Sequence, residues 1–304
     1  MIDILQLAPL RPEIQQQLEA RYRVHPASAL DSVADKVRGV VTITGTGPSA
    51  ALIDRLPKLE IIAVASVGYD AIDLEHARTK GIPVTNTPGV LDDDVADLAI
   101  ALMINAARHL VASDRHVRDG KWLTDKYPLA RTASNKRVGI LGMGRIGRAI
   151  AKRAKAMGNS IAYHTRTQVA DLTYRHYPSL VELARDSDFL IAIIPATPQT
   201  NKMVNHAVLE ALGPDGIFIN VARGSVADED ALVAALKSGA LGGAGLDVFA
   251  DEPNVPETLF GMNNVVLAPH VGSATVETRR AMSQLVLDNL DAHFAGRPLL
   301  TPVG

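Results

Sequence analysis

Cysteine is absent from the sequence, and this removes several chemistries at once. Disulfides, a thiol nucleophile, iron–sulfur clusters and Cys-ligated zinc are all excluded. Long apolar runs are also lacking. The longest, at 95–107, is interrupted by Asp97 and Asn105, so it is too polar and too short for a membrane span. No sign of charge dominates: 31 Lys and Arg against 33 Asp and Glu give a net charge of −2, with no overall basic footprint for a nucleic acid. The start, Met1-Ile2-Asp3-Ile4, has neither the basic residues nor the long apolar core of a secretory signal. The expectation is therefore no membrane partner, no nucleic-acid partner and a cytoplasmic location. What is present is ordinary: 47% apolar and 21% charged residues exclude disorder, collagen and coiled coil, and 304 residues suffice for two domains.

Short apolar runs alternate with helical periodicity almost from end to end, the pattern of parallel α/β sheets. The N-terminal part reads as strands at 2–7, 22–25, 40–44, 61–65 and 84–86, separated by helices such as 14–21 and 73–79. A second series begins at Arg137-Val138-Gly139-Ile140-Leu141 and continues near 161–164, 189–194, 216–221, 245–248 and 265–267. These runs are apolar without alternation, as strands covered by helices on both faces must be. Six such strands complete one doubly wound Rossmann sheet. A helix at 92–109 aligns Val95, Leu98, Ala99, Leu102 and Ala106. A last helix at 275–294 aligns Met282, Leu285, Val286, Leu290 and Phe294. Too few residues follow position 275 to bury a core of their own, so this helix should pack back on the first lobe. The expected division is a discontinuous lobe of residues 1–96 and 275–304 and a Rossmann domain of residues 97–274, with crossings near 92–98 and 270–275.

Gly142-Met143-Gly144-Arg145-Ile146-Gly147 follows directly on the strand 137–141 and opens an amphipathic helix that stops at Gly158. In that setting G-x-G-x-x-G is a dinucleotide fingerprint. Gly142 makes the tight turn, Gly144 lets the backbone reach a pyrophosphate, and Gly147 lets the helix press on the strand. The helix N-terminus offers N–H groups and a positive dipole end to the phosphates. An NAD site would place an acid near the end of the next strand to accept from the ribose 2′-OH. The sequence there is His164-Thr165-Arg166-Thr167, with Thr165 in the acid's place and Arg166 beside it. A hydroxyl and a guanidinium favour a 2′-phosphate, so the expected cofactor is NADPH/NADP, with NADH/NAD weaker.

Three further segments fall at later strand ends, where doubly wound sheets put their ligands. They are Asn220-Val221-Ala222-Arg223-Gly224, then Asp247 with Asp251-Glu252-Pro253, then Ala268-Pro269-His270-Val271-Gly272. Together with Ser66-Val67-Gly68-Tyr69-Asp70, Asn86-Thr87-Pro88-Gly89-Val90-Leu91 and Gly245-Leu246-Asp247-Val248-Phe249, these stretches resemble the D-isomer-specific 2-hydroxyacid dehydrogenase family over essentially the whole chain.

The resemblance implies a smaller, flavodoxin-like α/β substrate domain beside the Rossmann domain, a homodimer, and hydride exchange between NADPH and a 2-oxo acid. It implies that Arg223 holds the substrate carboxylate and polarises the keto oxygen, and that His270 is the general acid. It implies that Glu252 orients His270; a carboxylate partner favours the charged imidazolium. Asp247 is similar to the family's acceptor for the nicotinamide carboxamide. Cofactor contacts are implied for Met143, Arg145, Ile146, Thr167, Pro195 and Thr197, and for Val221, Ala222, His270 and Gly272. Val67, Gly68 and Tyr69 correspond to the substrate loop, where relatives most often carry an aliphatic residue in place of Tyr69.

Glyoxylate or hydroxypyruvate is the first substrate expected. Bulkier 2-oxo acids of the phenylpyruvate or 2-ketogluconate type are the alternative, and so is a dinucleotide-sensing, co-repressor-like protein. The lone tryptophan, Trp122, is expected to pack in the ordinary way, although relatives bring an aromatic from this region to a partner's active site. No metal is expected. Asp92-Asp93-Asp94 suits a helix start, and His25, His76, His109, His116, His164, His176, His206 and His293 show no ligand spacing.

Overall fold

Apolar runs near the N-terminus pair as one parallel sheet: β1 (Asp3–Gln6), β2 (Arg23–Pro26), β3 (Val37–Thr42), β4 (Ile61–Val64) and β5 (Val84–Thr85). The structure is a computed structural model that describes residues 1–303. The strand order β2-β1-β3-β4-β5 is the flavodoxin-like one, with its reversal between β1 and β3. Adjacent residues feed opposite faces. Leu5, Val40 and Ile62 belong to one core cluster, whereas Ile4, Val41 and Ile61 belong to the other. Ile14 and Leu18 of helix Pro12–Arg21 complete the second cluster together with Val286, Leu287 and Leu290 of helix Val276–Phe294. The last helix is therefore part of the first core, and residues Met1–Leu91 with Ser273–Gly304 form one compact unit.

Asp92–Gly272 form the other unit. Its sheet contains β6 (Arg137–Leu141), β7 (Ser160–His164), β8 (Arg175–His176), β9 (Phe189–Ala192), β10 (Ile217–Asn220), β11 (Gly243–Leu246) and β12 (Val265–Leu267). All seven strands are parallel, in the order β12-β11-β10-β9-β6-β7-β8, which reverses between β6 and β9. This is the doubly wound Rossmann pattern with one strand added at the β12 edge.

Sequence periodicity leads to six strands here. β8 has two residues, Arg175 and His176, neither of them apolar, so it leaves no hydrophobic trace.

Helix Asp92–Arg108 lies wholly in the second unit, so that unit begins at Asp92 rather than after Ala96. Its Val95, Ala99, Leu102 and Ala106 are buried. A Cβ on Gly245 of β11 would come within 2.9 Å of Leu102 Cβ, so glycine lets the helix close on the sheet. The helix ends at His109, whose left-handed backbone (φ +51°) starts a second helix, Leu110–Arg118. Among the described residues no single helix is long and apolar enough to cross a membrane.

Candidate active site

The glycine turn leaves β6 at the strand-order reversal, the point where open α/β sheets take their ligands. Gly142 has φ +104°, and a Cβ there would meet Ile193 O at 2.4 Å, so both backbone and space demand glycine. A Cβ on Gly147 would lie 2.2 Å from Gly142 O, which is how tightly helix Arg145–Ala156 seats on the turn. Gly144 differs: a Cβ there meets nothing within 4 Å. Gly144 is also the N-cap, and no side chain caps the first helical N–H groups there. The turn fits a dinucleotide pyrophosphate, with Arg145 exposed at its rim and Met143 buried beneath.

At the end of β7, Thr165 Oγ1 donates to Thr167 O at 2.7 Å. The hydroxyl proton is thus committed within the loop, and Arg166, exposed beside it, is the group that can meet a 2′-phosphate. Pro195 and Thr197 lie exposed after β9, where Thr200 Oγ1 ties the loop by donating to Pro195 O at 2.8 Å.

The parallel strands β10, β11 and β12 are neighbours, so their following loops share one edge of the sheet. After β10, Asn220 Oδ1 accepts from Ala222 N and its Nδ2 donates to Arg223 O, both at 3.1 Å. This buried amide shapes the loop that presents Arg223, with Val221 and Ala222 packed below it. A Cβ on Gly224 would lie 1.9 Å from the Phe249 carbonyl, so the Arg223 loop presses on the turn after β11.

That turn carries Glu252, whose Oε1 accepts from Phe249 N at 3.0 Å and whose Oε2 meets His270 Nδ1 at 2.7 Å. The carboxylate is fixed at one oxygen and orients the imidazole with the other. Among the described residues nothing bonds His270 Nε2.

Asp247, at the end of β11, is 2% exposed. Its carboxylate accepts from Val271 N at 2.7 Å and Gly272 N at 2.9 Å, and its carbonyl accepts from His270 N at 2.9 Å. Burial pushes the Asp247 pKa up, against the pull of those two N–H bonds. The sequence suggests a cofactor contact for Asp247, but its visible work is to hold the His270 turn. That turn needs holding, because His270 sits in the left-handed region at φ +54°.

In the first unit, the loop after β4 has its carbonyls tied down. Asn86 Nδ2 donates to Val67 O at 2.8 Å, and Ser66 Oγ donates to Gly68 O at 2.6 Å. No acceptor among the described residues takes the N–H of Val67 or Gly68. Two adjacent free amides suit a carboxylate. Tyr69, beside them, is exposed.

Residues 100–272 match the D-isomer specific 2-hydroxyacid dehydrogenase, NAD binding domain, more than half of the chain. The chain belongs to this family. It is 49% identical to hydroxyphenylpyruvate reductase of Plectranthus scutellarioides, over 99% of both chains. It is 48% identical to glyoxylate/hydroxypyruvate reductase A of Arabidopsis thaliana, again over 99% of both. Among solved structures, it superposes with a TM-score of 0.95 and 45% identity on the NADPH-dependent glyoxylate/hydroxypyruvate reductase of Sinorhizobium meliloti in complex with NADP and malonate. That match covers 100% of this chain and 97% of the other.

One expectation for this family member needs correction. Trp122 is 68% exposed, not packed, in a stretch where Leu110, Val111, Val117, Leu123 and Leu129 are also exposed. Helix Leu110–Arg118 buries no residue within the chain. Asn86 and Asn220 carry no role in the sequence reading, although both stand in the quoted motifs. The available signal was an amide side chain at the end of an apolar strand, a place where a buried polar group needs backbone partners.

Proposed function

We propose that this protein reduces a small 2-oxo acid of the glyoxylate/hydroxypyruvate class to the D-2-hydroxy acid with NADPH. The observation that carries the reading is the 2.7 Å bond from His270 Nδ1 to Glu252, with no partner for Nε2 among the described residues. An imidazole oriented in this way can hand a proton from Nε2 to a keto oxygen. Arg223, on the same sheet edge, donates from Nη1 to Ala222 O at 2.7 Å and is the proposed holder of the substrate carboxylate. In the first unit, the N–H groups of Val67 and Gly68 are the proposed carboxylate donors. The glycine turn and Arg166 would hold NADPH, which when bound supplies the hydride.

The second unit serves as the cofactor domain in this reading, and the first unit as the substrate domain. The exposed apolar stretch around Trp122 supports a homodimer, since contiguous exposed apolar surface of this kind marks protein contacts.

The deciding experiment follows nicotinamide absorbance with purified protein, NADPH and a panel of 2-oxo acids. The expected result is rapid turnover of glyoxylate and hydroxypyruvate. NADPH binding without turnover on any 2-oxo acid would replace the enzyme with a dinucleotide sensor.

A further inference from the structure

The first unit has a strand-order reversal of its own, between β1 and β3. In a flavodoxin-like sheet this is the second place where a ligand crevice forms, beyond the carboxyl ends of the strands. A cavity of about 160 Å³ lies there, lined by residues 9–12 after β1, Ile43 after β3, Ala65 after β4, and Arg279, Met282 and Ser283 of the last helix. An engineered apolar cavity of about this size, roughly 150 Å³, holds benzene, so a substituent of about six heavy atoms fits.

Two arginines line this cavity, Arg11 and Arg279, and neither has an ion-pair partner among the described residues. Arg11 Nε is buried and makes no hydrogen bond. Arg279 is desolvated with no carboxylate near it, and burial alone pulls its pKa down. Arg21, Arg38 and Arg55 of the same unit pair with Asp291, Glu60 and Asp31.

The backbones of both arginines meet at one wall residue. Ser283 Oγ accepts from Arg11 N at 3.3 Å and donates to Arg279 O at 2.9 Å. Half-buried cations without a counter-charge are costly unless an anion supplies one, and a guanidinium fork matches a carboxylate. The remaining walls, Leu10, Ile43 and Met282 among them, are apolar and suit methylene groups. Ala65 in the wall directly precedes the Ser66-Val67-Gly68 loop, whose two amides are free.

We propose that the first unit binds both ends of a dicarboxylic 2-oxo acid, one carboxylate at the Val67 and Gly68 amides and the second in this cavity at Arg11 and Arg279. The inference rests on the reading of the chain as a 2-oxo acid reductase and extends its substrates beyond glyoxylate and hydroxypyruvate to dicarboxylic 2-oxo acids.

The test is a comparison of kcat/KM with NADPH for 2-oxoglutarate, for 2-oxopentanoate as its uncharged counterpart, and for glyoxylate. Wild-type enzyme should prefer the dicarboxylate over the uncharged acid by roughly ten- to a hundredfold, the range of one charged hydrogen-bonding contact. Arg279→Gln and Arg11→Gln should each erase most of that ratio, and Arg279→Lys should keep part of it. The ratio within each variant is the readout, so a general loss of activity does not imitate the effect. Should Arg279→Gln fail to fold, Arg11→Gln and Arg279→Lys decide. Glyoxylate turnover with no dicarboxylate preference, or a preference untouched by the variants, overturns this proposal alone. Absence of turnover on all three acids overturns it together with the reductase reading.

Discussion

The seven-stranded sheet holds an acid–base pair at each end, and the two pairs are built differently. At the N-terminal ends of β6 and β9, the Asp188 carboxylate accepts from Arg137 N and Nη2 at 2.8 Å and from Nε at 3.2 Å. That carboxylate is saturated by one residue, and the pair ties two strand starts together. At the C-terminal ends of β11 and β12, Glu252 takes one backbone N–H and one imidazole nitrogen, and the second imidazole nitrogen is left over. The first pair is closed and serves stability. The second is a closed support beneath one open, aimed donor, which is the arrangement general acid catalysis needs.

The sharpest way to break this comparison is to remove the open donor. His270→Asn keeps a residue that tolerates the left-handed backbone, so the turn should survive. We expect kcat to fall by about 10²–10⁴, the usual worth of a positioned acid, with NADPH affinity near the wild-type value. Equal losses of affinity and turnover would make His270 a structural residue of the turn, equivalent in kind to Arg137.

How much of this was legible in the sequence depends on whether the physical demand was local. The glycine turn was legible because φ +104° at Gly142 and the 2.2 Å approach at Gly147 admit no other residue, and three glycines at fixed spacing record that. The strands covered on both faces were legible as unbroken apolar runs. Glu252 and His270 were legible through the family resemblance, because eighteen residues separate them and no spacing rule joins them.

The roles of Asn86, Asn220 and Asp247 escaped because each bonds backbone, which any sequence offers everywhere. The cavity at the β1/β3 reversal escaped for a related reason. Its walls come from four separate stretches, and an arginine without a partner looks like any other until its surroundings are known. Trp122 misled because a tryptophan reads as core, and only the fold shows a helix without buried residues beside it.

A smaller effect should come from the end of β7, where the loop offers one exposed guanidinium to a phosphate. The double substitution Thr165→Asp with Arg166→Ala removes that cation and adds a carboxylate. The ratio of NADPH to NADH affinity should fall by roughly ten- to a hundredfold, as expected for one charge-assisted contact. Titration of both cofactors by fluorescence measures it. An unchanged ratio would show that the discrimination lies outside residues 165–167, on loops the strand-end argument does not reach.

The smallest effect is expected at the closed pair, and its pH dependence carries the argument. Hydrogen bonds from Arg137 hold the Asp188 carboxyl below its ordinary pKa, against the opposing effect of burial. For an acid whose folded-state pKa is depressed, the stabilisation is present above the unfolded value, about 3.9, and fades as pH falls through the folded one. Arg137 is more than half exposed, so solvent screening limits the pair to about 1 kcal/mol. Asp188→Asn should therefore lower the melting temperature by a few degrees at pH 7, and the gap should close as pH drops below about 4. NADPH affinity and kcat should not move, because this end of the sheet carries none of the proposed site residues. A gap that persists at low pH would place the loss in packing around Asp188. A change in kcat would mean that the two ends of the sheet are coupled, and that the division between a stabilising end and a reacting end is too simple.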